Sequence, residues 1–498
     1  MKEQLIERIT TGVQKADAWA IRWGWLVLMV VAVGYYATYF QYGLNLGGEG
    51  GTTAVLAQRL MEGQRPIVDT FLGYNVLWFY PLVWLFCWTG PDYLVMRGYF
   101  FFLCLLAAFL GATVVWRLGR SGLLALGTGL ILVLIPGMLF RNYMGLLGVM
   151  NQLVMLSAFL MPFRSGGWRV AWISLSGLVL GLTYLIRIEV GLLMTVIWIG
   201  LLVLQPLWRE GFCSRLREAV LGGAGGVLLL GLVHLPVAVD AERRGYAKEF
   251  WGQYVGFKQY MGYLLEEQIQ LLRSSASESP ASQGTTSAYH DFVPVADAPP
   301  PPTIWRPRPP WQQMFTGIGE RERYFAAAVY LPVLIILVWT AAGSILFLLA
   351  FVRRNEELRT DALTILVLTG CSLTLFPQYF FFRPDTPHIV EFMIPFLVAV
   401  IGVFALAGRR YLVHRSRPYA VATGVAAAAV IASVWMHFGH AWPKESAGTM
   451  AARWNSDTKF RGLNGVRVFV RPEQALGLEG LQRTILAHSD PEDWVVCL

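Results

Sequence analysis

Glu49 and Asp69 stand in a stretch that begins where the first long apolar run ends, NLGGEGGTTAVLAQRLMEGQRPIVDTFLGYNVLW, residues 45–78. Gly47, Gly48, Gly50 and Gly51 surround Glu49, so the backbone there can turn freely and its carboxylate can approach a ligand closely. Residues 54–61 read as a short helix, and Gly63 and Pro66 supply the turn that precedes Asp69. One acidic loop residue is ordinarily a solvated charge. Two carboxylates held by glycine-rich turns beside an aromatic amphipathic segment suit proton abstraction from a substrate that arrives in lipid.

Three further groups of residues could carry charge chemistry. Arg187 and Glu189, in GLTYLIRIEVGLL, are ionisable groups between two apolar runs, where charge is costly and functional by default. The structural alternative is an ion pair tying two helix ends. Arg383, Asp385 and His388 lie in FPQYFFFRPDTPHIVEFMIPF. The arginine suits a phosphate through bidentate, charge-assisted contacts, His388 can donate to a phosphate or a sugar hydroxyl, and an Arg–Asp helix-end bridge is the alternative. Glu391, one turn further, would face a cavity or pair with His388. Arg141 and Tyr143, in FRNYMG, read first as headgroup anchors.

The elements that must position these groups are membrane helices. The 498-residue chain is 55% hydrophobic and 14% charged, against about 25% charged in soluble domains. The predicted fold class is therefore an all-α polytopic membrane protein with about eleven transmembrane helices, interfacial helices in the first external loop and a small α/β C-terminal extracytoplasmic segment. The spans read as 24–43, 94–117, 122–139, 146–162, 169–186, 189–206, 219–239, 327–352, 361–380, 388–407 and 418–436. Basic residues gather at alternate ends of these runs, as at Arg117 and Arg120, Arg353 and Arg354, and Arg409 and Arg410. That is the positive-inside pattern, so the net charge of +8 is topological and implies no nucleic-acid partner. The N-terminus is expected in the cytoplasm and the C-terminus and site outside, in the cell (inner) membrane. Five scattered cysteines form neither a disulfide framework nor a metal spacing.

Residues 1–22 form a cytoplasmic amphipathic lead, expected as a helix lying on the membrane, and 23–436 the transmembrane domain. Within it, 45–93 is the first external loop. Its segment 74–88, interrupted by Pro81, reads as an interfacial helix, since counting it as a span would invert every later basic cluster. Residues 240–326 form a large external loop that starts as a helix and passes into a disordered, Ser/Thr- and then Pro-rich stretch, 274–310. In the tail, 437–498, VRVFV reads as a strand, 472–488 as a helix and the final WVVCL as a second strand. A βαβ-type beginning that stops there reads as an abrupt small domain or a truncation.

An acidic residue just after the first span, then A…L…G-x-x-P-x-x-D and an aromatic amphipathic helix, resembles the GT-C superfamily of integral-membrane glycosyltransferases. These include protein O-mannosyltransferases and the aminoarabinose transferases that modify lipid A. The matching residues are Glu49, Gly63, Pro66, Asp69 and Tyr74, and the likeness in span order covers roughly 1–440. One departure is Gly48-Glu49, where many members carry Asp or Asp-Glu. The resemblance implies an enzyme that moves a sugar from a polyprenyl-phosphate donor to a lipid, glycan or protein acceptor on the extracytoplasmic face, with inversion. It implies Glu49 and Asp69 as catalytic carboxylates, and Arg383, Asp385, His388, Arg187, Glu189 and Tyr74 as donor-binding residues. No cofactor is expected, and a divalent metal is compatible but not required. The chain has no Walker A sequence, dinucleotide-binding glycine pattern, H-E-x-x-H or C-x-x-C. The rivals are a transporter or flippase of lipid-linked glycans and a non-catalytic envelope scaffold. Against the first, no internal repeat is visible, and the ionisable groups lie at one edge of the bilayer.

Overall fold

The structure is a computed structural model and describes residues 2–42, 53–66, 68–69, 76–134, 143–160, 166–204, 212–252, 312–316, 320–377, 379–380, 386–454, 458–462 and 467–488. Its helices are α1 Lys2–Phe40, α2 Val55–Met61, α3 Tyr80–Thr89, α4 Tyr93–Gly119, α5 Gly122–Val133 and α6 Tyr143–Met155. They continue as α7 Gly166–Ile186, α8 Ile188–Leu204, α9 Phe212–Arg243, α10 Glu320–Arg353, α11 Glu356–Leu373, α12 Thr386–His414, α13 Arg417–Trp454 and α14 Pro472–His488. Each expected span falls on one of these. Among the described residues, 8 helices are long and apolar enough to cross a membrane, and α5 and α8 are shorter apolar ones. The remaining span, α11, opens on Glu356, Glu357, Arg359 and Asp361.

Polar contacts sort the helix ends into two sets. At the end that carries the lead, Asp17 accepts from Ser121 Oγ at 2.7 Å and from the Leu123 N–H at 3.0 Å. Arg169 pairs with Glu218 at 2.9 Å, and Arg410 with Asp361 at 2.7 Å. At the other end, which carries the first loop, Tyr143 and Tyr99 join hydroxyls at 2.9 Å, and Trp78 packs on Tyr143 with ring centroids 5.1 Å apart. Every one of these pairs joins ends that alternate crossing puts on the same side.

Three reversals at the lead end are tight and share one device. Arg120, Arg354 and Arg415 adopt positive φ of 55°, 51° and 50° just past α4, α10 and α12. A left-handed non-glycine residue costs about 1–2 kcal/mol. A cation beyond a helix C-terminus offsets part of that through the helix dipole. Arg120 and Arg415 also lie over the rings of Trp116 and Tyr411, at 5.3 and 6.0 Å. Ser121 and Asn355 then cap the next helix, accepting from the N–H groups of Leu124 and Leu358.

The hub is α6 with α12. Their apolar stretches are 89% and 94% buried, against 6% for α9. Gln152 ties the hub together: its fully buried amide donates to the carbonyls of Leu368 and Pro395, both at 2.9 Å. Helix α9 reaches the bundle through glycines on α7. A Cβ at Gly177 would lie 1.8 Å from the Gly222 carbonyl oxygen, so the two backbones touch.

One expectation is revised and two are extended. The lead is not a separate surface helix: residues 2–40 form one continuous helix, held to α5 through Asp17. The last span, 418–436, coincides with the apolar stretch Arg417–Trp435, and its helix runs on to Trp454. Finally, β2 (Arg467–Val470) pairs antiparallel with β1 (Thr458–Arg461), a strand not anticipated, and helix α14 follows. The pair precedes the helix, and the strand expected after it falls beyond residue 488, outside the described ones. WVVCL and most of the large external loop lie outside the described residues, although helix does begin the latter at 247–252.

The described part of the first loop follows expectation. Residues 55–61 are helical, and α3 has 10 residues, too short to cross. Pro81, read as an interruption, starts α3 instead, where its missing N–H costs nothing. Leu82, Val83 and Phe86 are buried while Trp84 and Trp88 are exposed, as an interfacial helix requires.

Candidate functional site

The site is built on the turn that joins α2 to Asp69. Helix α2 ends when Gly63 takes φ +89°, a conformation that strains any residue with a Cβ. The chain then closes on itself. The Asp69 N–H donates to the Arg65 carbonyl at 3.0 Å, and the Arg65 N–H returns to Asp69 Oδ2 at 2.8 Å. The Arg65 guanidinium adds Nη2 to Oδ1 at 2.8 Å and Nε to Oδ2 at 3.0 Å. These contacts, side chain first and backbone second, lower the Asp69 pKa to about 2. As it stands, Asp69 is a weakly basic carboxylate whose first task is to hold the turn.

Two arginines from elsewhere fasten this loop to the bundle by its backbone. Arg244, just past α9, donates Nη2 to the Gly63 carbonyl at 2.6 Å, and its Nη1 lies 3.4 Å from Asp240 Oδ2. Tyr246 donates to the same Asp240 oxygen at 2.9 Å, and its hydroxyl pKa is raised, by burial first and by Asp240 second. Tyr246 packs with Ala241 and Phe250 in a small satellite core, so the fastening point is itself anchored. Arg97 on α4 is buried, and its Nη1 donates to the carbonyls of Phe40 and Tyr42 at 3.1 and 3.0 Å. Its Nη2 reaches the Tyr93 hydroxyl at 2.9 Å. Below, Phe100 packs edge-on against Tyr143 and completes an aromatic floor with Tyr99 and Trp78.

Of the expected site residues, the structure joins Arg187 to Glu189. One non-helical residue separates α7 from α8, and Arg187 Nε meets Glu189 Oε1 at 2.6 Å. The pair thus ties two helix ends, with Arg187 mostly buried. Glu391 is buried in α12. His388 is placed on the first turn of α12, but its side chain lies outside the described residues. Glu49, Tyr74, Arg141, Arg383 and Asp385 also lie outside them. The described residues include no group of three or more His, Cys, Asp and Glu that could hold a metal ion.

The sequence reading passed over Arg65, Arg97, Arg244, Asp240 and Tyr246. A signal existed for Arg97, the one cation inside the apolar run DYLVMRGYFF, and for Arg65, four residues from Asp69. Arg244 gave none, because its partner is a carbonyl 181 residues away.

Fold and site together define a polytopic helical membrane protein with a charged, backbone-fastened loop at one end. No protein-family model matches the chain, and no curated protein matches it. Among solved structures it is similar to ArnT from Cupriavidus metallidurans, whose crystal structure was determined bound to undecaprenyl phosphate. The identity is 14%, the TM-score 0.45, and the match covers 86% of this chain and 74% of that one. A likeness at that level assigns neither activity nor residue roles.

Proposed function

We propose that this chain is a GT-C-type membrane glycosyltransferase that moves a sugar from a polyprenyl-phosphate donor to an acceptor hydroxyl on the extracytoplasmic face. The observation that carries the reading is the doubly fastened first loop. Arg97 grips its root and Arg244 its Gly63 turn, within the stretch whose Glu49, Gly63, Pro66, Asp69 and Tyr74 resemble the superfamily. Rigid placement of a carboxylate-bearing loop is what a displacement reaction needs, since no reorganisation is then required when charge develops.

In the reaction, a carboxylate takes the acceptor proton while the acceptor oxygen bonds to the anomeric carbon. The bond from that carbon to the phosphate oxygen breaks, and the lipid phosphate leaves with the electron pair. One displacement inverts the centre. Glu49 is the preferred base and Asp69 the second, because a carboxylate with a pKa of about 2 is a poor proton acceptor at neutral pH. Arg383 meets the leaving phosphate, with Arg187 second, while Asp385, His388, Glu189 and Tyr74 border the donor. A divalent metal is not required, since arginine alone can neutralise one lipid phosphate. The lead end, rich in arginine, lies in the cytoplasm, which puts the loop end outside.

The test incubates purified protein with a panel of polyprenyl-phosphate sugars and measures donor-dependent transfer. The reading expects turnover with at least one donor. Full transfer by both Glu49→Gln and Asp69→Asn would show that the base is misassigned.

A further inference from the structure

We propose that the C-terminal strand pair is a positioning element of the transfer reaction: β2 fixes the root of the first external loop, and the transfer rate depends on that contact. The catalytic half of this proposal rests on the glycosyltransferase reading; the contact itself does not. Three successive carbonyls, of Phe40, Gln41 and Tyr42, are held as the chain leaves α1. Arg97 takes the first and third, while the Phe469 N–H of β2 donates to the Gln41 oxygen at 2.8 Å. Tyr42 and Phe469 form a parallel bridge, and their rings lie 5.6 Å apart. The exit segment is therefore gripped from two sides, by a helix and by a strand from the far end of the chain.

The gripping strand is itself well seated. Phe469 stands opposite Lys459 of β1, yet its N–H goes to Gln41, so β2 lies between β1 and residues 41–42. On the opposite face Val468 and Val470 are buried and join the main core with Phe460 and Ala475. Those apolar contacts alone would hold the tail on the bundle. The strand's N–H and ring are turned instead on the residues from which Glu49, Gly63 and Asp69 follow. A small displacement of a catalytic group from a remote change can cost up to about 100-fold in rate, so restraint at this root bears on turnover.

The test compares full-length Phe469→Pro, Phe469→Ala and Tyr42→Ala with the wild type. Proline removes the donated N–H while suiting an extended backbone; alanine at 469 keeps the N–H and removes the ring. We expect F469P to lower kcat about tenfold and to speed amide exchange in the peptide containing Gln41 and Tyr42. The KM for donor should stay within about twofold, and F469A should have a smaller effect of the same kind. Wild-type kcat and exchange in F469P overturn the proposal. If F469P does not fold, the same wild-type behaviour in both F469A and Y42A overturns it. A wild-type protein that transfers no sugar overturns the glycosyltransferase reading and the catalytic half with it. The exchange arm still decides whether β2 fixes the loop root.

Discussion

Arginines stand at both ends of the bundle, but they bind different things. At the lead end they meet carboxylates across helices: Arg410 holds Asp361 and Glu357, and Arg169 holds Glu218. At the loop end Arg97 and Arg244 donate to the carbonyls of Phe40, Tyr42 and Gly63. The first arrangement stitches helix to helix, whereas the second fixes the course of a loop. An N–H spent on a carbonyl orders the backbone and is not spent on a carboxylate of another helix. The ion pairs at this end are local in sequence: Arg65 with Asp69, Arg244 with Asp240 and Arg187 with Glu189.

The largest effect should come from breaking a stitch. Arg410→Ala leaves Asp361, whose side chain is only 8% exposed, without its main partner. Removing one member of a buried pair costs about 3–5 kcal/mol, read as a lower thermal midpoint in detergent. Transfer by the protein that remains folded should be unchanged. At the other end Arg97→Lys should do the reverse. A single ammonium cannot reproduce the fork that reaches two carbonyls and the Tyr93 hydroxyl. Transfer should fall about tenfold, roughly 1.4 kcal/mol in barrier, with a much smaller change in midpoint. If both variants lose stability and activity in proportion, the distinction between the ends is wrong.

Smaller effects sharpen the picture. Gly63→Ala forces a Cβ into φ +89° and should cost about 1 kcal/mol. The pH dependence of Asp69 has a defined sign. Its folded pKa, about 2, is below the ordinary aspartate value of 3.8. Its contribution to stability is therefore complete above the unfolded pKa and is lost as pH falls through the folded one. Stability measured from pH 4 down to 2 should drop in the wild type and less in Asp69→Asn. A rate limb between pH 5 and 8 must then belong to another group, and finding such a limb abolished by Asp69→Asn would reinstate Asp69 as the base.

The helices were legible because hydropathy and arginine placement carry the same information twice, as at Arg117 and Arg120 closing α4. The Gly63–Asp69 turn was legible because glycine and proline fix local backbone whatever surrounds them. What escaped depends on distant partners. Arg97 reaches back 55 and 57 residues and Arg244 181, and a carbonyl leaves no mark in a sequence. Strand β1, TKFR, is four residues with one buried side chain, too short for periodicity to reveal. The lead misled because its charge pattern suits a surface helix, while Asp17 is used to cap α5.

One measurement bears most directly on the central claim. Purified wild type and Glu49→Gln are given the same labelled polyprenyl-phosphate sugar and acceptor, and single-turnover transfer is followed. The account predicts transfer by the wild type and a rate at least about 100-fold lower in the variant, with donor binding retained. Equal rates in the two proteins, or no donor-dependent transfer by the wild type, would contradict it.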